Sequence, residues 1–201
     1  MTILLRLLDE VSYAGSPVTG SRPADLLAAL VLHPTGVSDL RLVDEVWRDD
    51  PPAVPGKALQ VLVSRLRTQL GAEAVTRADG GYRLALGADA VDVWVLECLV
   101  TDAGRALADD RAPQALVLAE AAAGLLDGAG DAVGEGALAR LRRVALRRAA
   151  AVRRVRGLAL SRTGQDAAAL DVLEEVHTAR PDDVETFVAG VASLVEEHAR
   201  L

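Results

Sequence analysis

The sequence predicts a mainly α chain with small β-sheets, and three observations carry that expectation. Ala, Leu, Val and Arg dominate, while aromatics make up only 2% of the 201 residues, a composition of helix formers. Apolar residues recur at helical spacing in stretches parted by Pro and Gly. Two short stretches depart from that pattern and read as β-hairpins. The length suits one or two domains with a real hydrophobic core.

The chain opens with "ILLRLLDEVSYAGSPV", two apolar runs around Ala14–Gly15, read as a hairpin. "SRPADLLAALVLHP" follows as a helix, with Ser21 as N-cap, Pro23 in the first turn and an apolar stripe of Leu26, Leu27, Leu30 and Val31. Pro34 and Gly36 close it. "SDLRLVDEVW" restarts at Ser38 as N-cap, with Leu42, Val43, Val46 and Trp47 facing inward. "RDDPPAVPG" is a proline-rich loop. "GKALQVLVSRLRTQLG" is a third helix ending near Gly71, and "AVTRADGGYRLAL" reads as two strands around Asp79–Gly80–Gly81. The order is sheet, three helices, hairpin.

From Asp92 the pattern is helical only, with segments expected at 92–108, 113–126, 136–162, 166–179 and 183–199. "GLALSRTGQDAAALDVLEEVHTARPDDVETFVAGVASL" has small residues inside helices, Gly164 at a turn and Pro181 after the next. That is tetratricopeptide-like grammar in one legible copy, so neighbouring helices must complete the stack. Phe187, Val191, Leu194 and Val195 share an apolar face in the last segment.

Charge is unevenly spread. The chain carries −7 overall; residues 1–88 hold nine basic and ten acidic side chains, and 89–201 hold thirteen and nineteen. Phosphates respond to the field within about 8–10 Å, so the local balance matters more than the total. Residues 56–71 hold the sole lysine and two arginines with no carboxylate. On a wheel of about 100° per residue, Leu59, Leu62, Val63, Leu66 and Leu70 face the core. Lys57, Val61, Ser64, Arg65 and Thr68 fall opposite, flanked by Gln60 and Arg67. A duplex major groove accepts such a face: cations neutralise phosphates, hydroxyls donate to phosphate oxygens, and Val61 can touch a thymine methyl. A solvated amphipathic helix would carry the same residues. What favours the first reading is the helix–turn–helix before this segment and the Gly-Gly hairpin after it.

"LVDEVWRDDPPAVPGKALQVLVSRLRTQLG…VTRADGGYRLAL" resembles the winged helix–turn–helix of the Streptomyces antibiotic regulatory proteins, an OmpR-type DNA-binding fold. The tryptophan closing the second helix, the "DDPPA" loop, "ALQVLVSRLRTQLG" and the wing "GGYRL" carry the likeness. The remainder is similar, by position and helical pattern, to the bacterial transcriptional activation domain of that family. The resemblance implies a DNA-binding domain over 1–88, and over 89–201 an all-α tetratricopeptide-like activation domain. It makes helix 56–70 the recognition helix in the major groove, with Lys57, Gln60, Val61, Ser64, Arg65 and Thr68 as DNA-contact candidates. Arg67 either contacts phosphate or braces the wing. Arg77, Tyr82 and Arg83 are candidates at the minor groove, and Tyr82 has packing under the wing as its alternative. Trp47 is core.

The resemblance further implies double-stranded promoter DNA and RNA polymerase as partners, a homodimer on direct repeats, an actinobacterial source, and activation of a biosynthetic or pathway-specific gene cluster. A cytoplasmic, nucleoid-associated protein is expected: one cysteine, Cys98, fits a reducing compartment, no apolar run approaches a membrane span, and "MTILLRLLDE" is too short for a signal peptide. The rival expectation is a protein-interaction scaffold whose winged helix no longer binds DNA, in keeping with the acidic pI.

Two departures from the family stand out. "LLDGAGDAVGEG" replaces an aromatic-containing segment, and the family's helical domains generally continue past the position of Leu201, as expected of a piece of a longer regulator or an unusually short member. Eight arginines from Arg140 to Arg156 stand without one acid. They form either a solvated face paired with acidic helices, such as that of Glu174 and Glu175, or a second surface for phosphate or polymerase. "GAGDAVGEG" lacks a phosphate-binding spacing and reads as a loop. His33, His177 and His198 are scattered and form no ligand set with Cys98, itself expected in the core, so no metal or cofactor is expected. Nothing assembles into a catalytic constellation.

Overall fold

In a computed structural model, which describes residues 2–78, 80–130 and 132–179, the chain forms two compact units. One takes the described residues up to Val95 together with Gly128–Ala145; the other takes Leu96–Asp127 and the described residues from Leu146 onward. This is a different division from the segments 1–88 and 89–201 expected from the sequence, because a stretch far downstream folds back into the first unit.

In the first unit, β1 (Leu5–Arg6), β2 (Ser12–Tyr13) and β3 (Ser16–Pro17) form an antiparallel sheet, with the expected turn at Ala14–Gly15. Helix α1 (Ser21–Leu32) follows. Its N-cap is Gly20, at φ 97°, and not Ser21: the helix starts one residue early and no side chain caps it. Strand β4 (Val37–Ser38) leads straight into α2 (Asp39–Trp47), where the Ser38 hydroxyl accepts from the Arg41 N–H at 3.3 Å. Helix α3 (Pro55–Leu70) starts on a proline whose missing N–H costs nothing at that position. Strands β5 (Val75–Ala78) and β6 (Gly81–Leu84) make the wing, and the sheet order is β4-β6-β5. Strand β4 escapes sequence reading, being two residues long and doubling as a helix cap.

Leu26, Leu27, Leu30, Leu42, Leu59 and Leu66 are buried between α1, α2 and α3. Their apolar stripes are the expected ones, and burying each such side chain stabilises the unit by roughly 1.5–3 kcal/mol. The N-terminal sheet is tied in by Asp92. One of its carboxylate oxygens accepts from Leu7 and Leu8 N–H at 2.7 and 2.8 Å, the other from Val93 N–H at 2.7 Å. Burial pushes this carboxyl above the ordinary aspartate value, and the three N–H groups oppose that shift.

The second unit contains α4 (Asp92–Ala108) from Leu96 onward, α5 (Ala112–Asp127), α7 (Ala149–Arg162) and α8 (Asp166–Ala179). Ala106, Leu107, Ala115 and Ala159 pack as one cluster, and Leu160, Ala169 and Val172 as another. Small residues let the helices approach closely: a Cβ on Gly157 would lie 2.8 Å from the Leu173 side chain. The expected single helix over 136–162 is instead α6 (Ala137–Leu146) and α7, interrupted at Arg147–Arg148. No breaker residue marks the interruption, which falls where the chain leaves the first unit at Ala145. Cys98 is exposed, against expectation, because it lies off the stripe of Leu96, Ala103, Ala106 and Leu107. The segment 183–199, with His198 and the apolar face of Phe187, lies outside the described residues. No helix among the described residues is long and apolar enough to cross a membrane, and none of their His, Cys, Asp or Glu side chains group as metal ligands.

Candidate nucleic-acid interface

Helix α3 buries Leu59, Leu62, Val63, Leu66 and Leu70 and leaves Lys57, Gln60, Val61, Ser64, Arg65 and Thr68 exposed, the division the wheel predicts. Lys57, Gln60 and Arg65 have no hydrogen-bond or ion-pair partner among the described residues, so their polar ends are available to a ligand. Thr68 donates its hydroxyl back to the Ser64 carbonyl at 3.1 Å, within the helix. Val61 is 45% exposed, one turn from Lys57 on one side and Arg65 on the other. An aliphatic side chain left in water between two cations suits a surface that meets both methyl groups and phosphates.

Two features near α3 are invisible in the sequence. A cleft of about 400 Å³ runs along its first half, lined by α3 residues including Lys57, Val61 and Arg65, and by Arg22, Trp47, Pro52 and Val54. Val54 is 61% exposed there. Arg22 lies over the Trp47 ring at 5.8 Å and pairs with Asp50 at 3.0 Å, so that cation is already partnered. Trp47 itself is buried, as expected.

The wing sorts its candidates by geometry. Tyr82 is only 4% exposed, packed under the wing, and its ring faces Arg77 at 4.2 Å and Arg67 at 5.7 Å. This burial is the packing alternative's geometry. Arg67 donates its Nε–H to the Val75 carbonyl at 2.8 Å and so braces the wing against α3. Arg77 points its guanidinium at Asp39, in the first turn of α2, with Nη1 at 2.9 and 3.0 Å from the two carboxylate oxygens. Arg83 is exposed and carries no such partner among the described residues. Of the ten candidates, then, Lys57, Arg65 and Arg83 are the unpartnered cations, Arg77 is shared with a carboxylate, and Arg67 and Tyr82 hold the framework. Asp79 lies outside the described residues.

The two wing glycines serve different ends. Gly80 turns the hairpin at φ 74°. Gly81 pairs with Ser38, and a Cβ there would fall 1.9 Å from the Val37 carbonyl oxygen, so only glycine lets the wing reach the strand before α2.

Residues 18–84 match the family described as Transcriptional regulatory protein, C terminal. They include all of α1–α3 and the wing, and form an OmpR-type winged helix–turn–helix. The chain is similar to Regulatory protein AfsR of Streptomyces griseus, with 31% identity over 120 residues, 59% of this chain and 12% of that protein. Among solved structures it is similar to Mycobacterium tuberculosis EmbR in complex with low affinity phosphopeptide, at TM-score 0.57 and 19% identity. That likeness, of fold, covers 96% of this chain and 64% of the other. The chain thus spans about an eighth of the first relative and under two thirds of the second. These findings bear out the winged helix–turn–helix read from the sequence, and the family matched there is one of transcriptional regulators.

Proposed function

From an OmpR-type winged helix–turn–helix at residues 18–84, we propose a sequence-specific transcriptional activator of a biosynthetic or pathway-specific gene cluster. The single observation behind this reading is the α3 face, where Lys57, Gln60 and Arg65 are unpartnered and no carboxylate interrupts them. In this reading α3 enters the major groove of promoter DNA. Arg65 and Gln60 address base edges, Lys57 and Ser64 address phosphates, and Arg83 and Arg77 meet the adjacent minor groove. Residues 1–88 serve as the DNA-binding segment. Residues 89–201 serve as the activation domain, engaging RNA polymerase and a second protomer on direct repeats, in the cytoplasm at the nucleoid.

Three unpartnered cations imply few phosphate contacts. At about 0.9 per phosphate neutralised, even all three on phosphates would give one copy a slope of log affinity on log salt no steeper than about −2.7. Adjacent copies on a repeat raise affinity through effective concentration. The test is genome-wide binding of the tagged protein, then mobility-shift titration of the best site at two salt concentrations. Arg65→Ala should cost ~1–3 kcal/mol at that site, and Lys57→Ala should flatten the slope by about one unit. No enriched motif, or binding indifferent to salt and to both substitutions, leaves the winged helix as a scaffold for a protein partner.

A further inference from the structure

Residues 128–145 fold with the winged helix although they lie far beyond it in the chain. Their attachment is specific at every step. The Gly130 N–H donates to the Leu8 carbonyl at 2.7 Å. Asp25, on α1, accepts from the Leu138 N–H at 2.9 Å and so satisfies an otherwise unpaired donor in the first turn of α6. A Cβ on Gly136 would sit 2.5 Å from the same carboxylate, so any side chain there would push Asp25 from its bond to Leu138. Arg142 donates to the Leu7 carbonyl at 3.0 Å and to that of Asp9.

The contact that reaches the reading head is at Glu45 of α2. Its side chain is 9% exposed, and Arg140 of α6 donates to one carboxylate oxygen at 2.5 Å. The other oxygen accepts from Arg41 at 3.2 Å and lies 3.4 Å from the His33 ring nitrogen, at the end of α1. Just past α2, Arg48 takes a left-handed conformation and stands 3.6 Å from Glu135. On its opposite side, α2 buries Leu42, Val43, Val46 and Trp47. It is therefore held on both sides, by the helix–turn–helix core and by α6.

We infer that α6 is a fourth helix of the DNA-binding unit and that Arg140 is a positioning residue for DNA recognition. Through Glu45 it fixes the roll of α2, and thereby the loop that presents α3. The inference rests on the proposed reading of DNA by α3. Removing Arg140 leaves a nearly buried carboxylate with one exposed arginine and one histidine, and α2 loses its outer anchor. A reading helix on a loosened support must be ordered at the moment of binding, which lowers affinity without changing the contacts made.

The test uses the full chain and the repeat site of highest affinity, at a temperature where melting curves show each variant folded. Arg140→Ala should raise Kd about tenfold with the salt slope unchanged, since Arg140 meets no phosphate. Arg140→Lys should recover part of that loss. Hydrogen exchange without DNA should quicken in α2 and in residues 48–54. An unchanged Kd in a folded Arg140→Ala protein overturns the inference, as does a slope shallower by one unit, which would make Arg140 a phosphate contact. Should that variant not fold, Glu45→Gln takes its place, with a rise of about threefold expected and an unchanged Kd equally fatal. If the wild-type chain binds no site, the DNA reading fails; exchange in α2 then decides separately whether α6 anchors it.

Discussion

Helix α3 and the arginine run from Arg140 to Arg156 look alike on paper: each is basic, helical and free of acids. In the structure α3 and the α6 part of that run are opposites. Lys57 and Arg65 extend from α3 without a partner among the described residues, whereas each arginine of α6 is already partnered on the chain. Arg140 goes to Glu45, Arg142 to the carbonyls of Leu7 and Asp9, and Arg143 to those of Ala132 and Gly134 at 2.9 and 2.6 Å. Arg148, between α6 and α7, pairs with Glu97 at 2.8 Å. A run of cations makes a positive surface only where its charges are not already met. By that standard α3 is a better anion-binding surface than α6. The run as a whole is not a single phosphate-facing strip: Arg140 pairs with Glu45 and Arg148 with Glu97.

The comparison breaks most visibly at Arg142. Arg142→Ala removes charge-assisted hydrogen bonds to two carbonyls, and thermal or urea unfolding should show a loss of about 2–3 kcal/mol in the first unit. Its salt slope on DNA should stay as it was. If the slope shifts while stability holds, the α6 arginines are surface cations after all and the contrast with α3 collapses.

A smaller effect, in the opposite sense to an exposed carboxylate, is expected at Glu45. Burial raises its pKa, but the hydrogen bond and charge of Arg140, then Arg41 and His33, outweigh burial and hold it below the ordinary 4.5. A depressed carboxyl stabilises the fold above its unfolded pKa. That contribution is lost as pH falls from about 4.5 through the lower folded value. Melting curves across that range should fall less steeply for Arg140→Ala than for the wild type; equal slopes would mean that Arg140 does not set this titration.

The smallest effect sharpens the α3 side. Replacing thymine by deoxyuridine in the major groove removes one methyl, worth about 0.8 kcal/mol if buried, or roughly fourfold in Kd. One position in the site should show this loss with the wild type and not with Val61→Ala. Equal losses with both proteins would take Val61 out of the base contacts.

What was legible beforehand divides along similar lines. Helices α1–α3 could be placed because stripes such as Leu59–Leu62–Leu66 and breakers such as Pro34 are local signals. The exposed α3 face followed from the same wheel. Strand β4 was hidden because Val37–Ser38 gains its strand character only by pairing with Gly81–Tyr82, far along the chain. The interruption at Arg147–Arg148 had no local sign, since Ala, Leu and Arg all favour helix. The anchoring of Arg142 depends on carbonyls at residues 7 and 9, which no spacing rule connects to position 142. Sequence leaves Arg67 and Tyr82 between DNA contact and packing, and the burial of Tyr82 and the Arg67 bond to Val75 are visible only in the fold; Asp39 escapes because its partner Arg77 lies across a sheet.

Ser38 has one more consequence. It is at once the end of a strand in the wing sheet and the cap of α2, and Gly81 lies against it with no room for a side chain. Wing and helix–turn–helix therefore move as the two jaws of a caliper with a locked joint. On the proposed reading, a duplex held in both grooves must fit the gauge as well as carry the right bases, and sequences whose groove width departs from it bind only at a cost in bending or twisting. Such a protein would discriminate among sites with identical contacted bases by the stiffness of the steps between them.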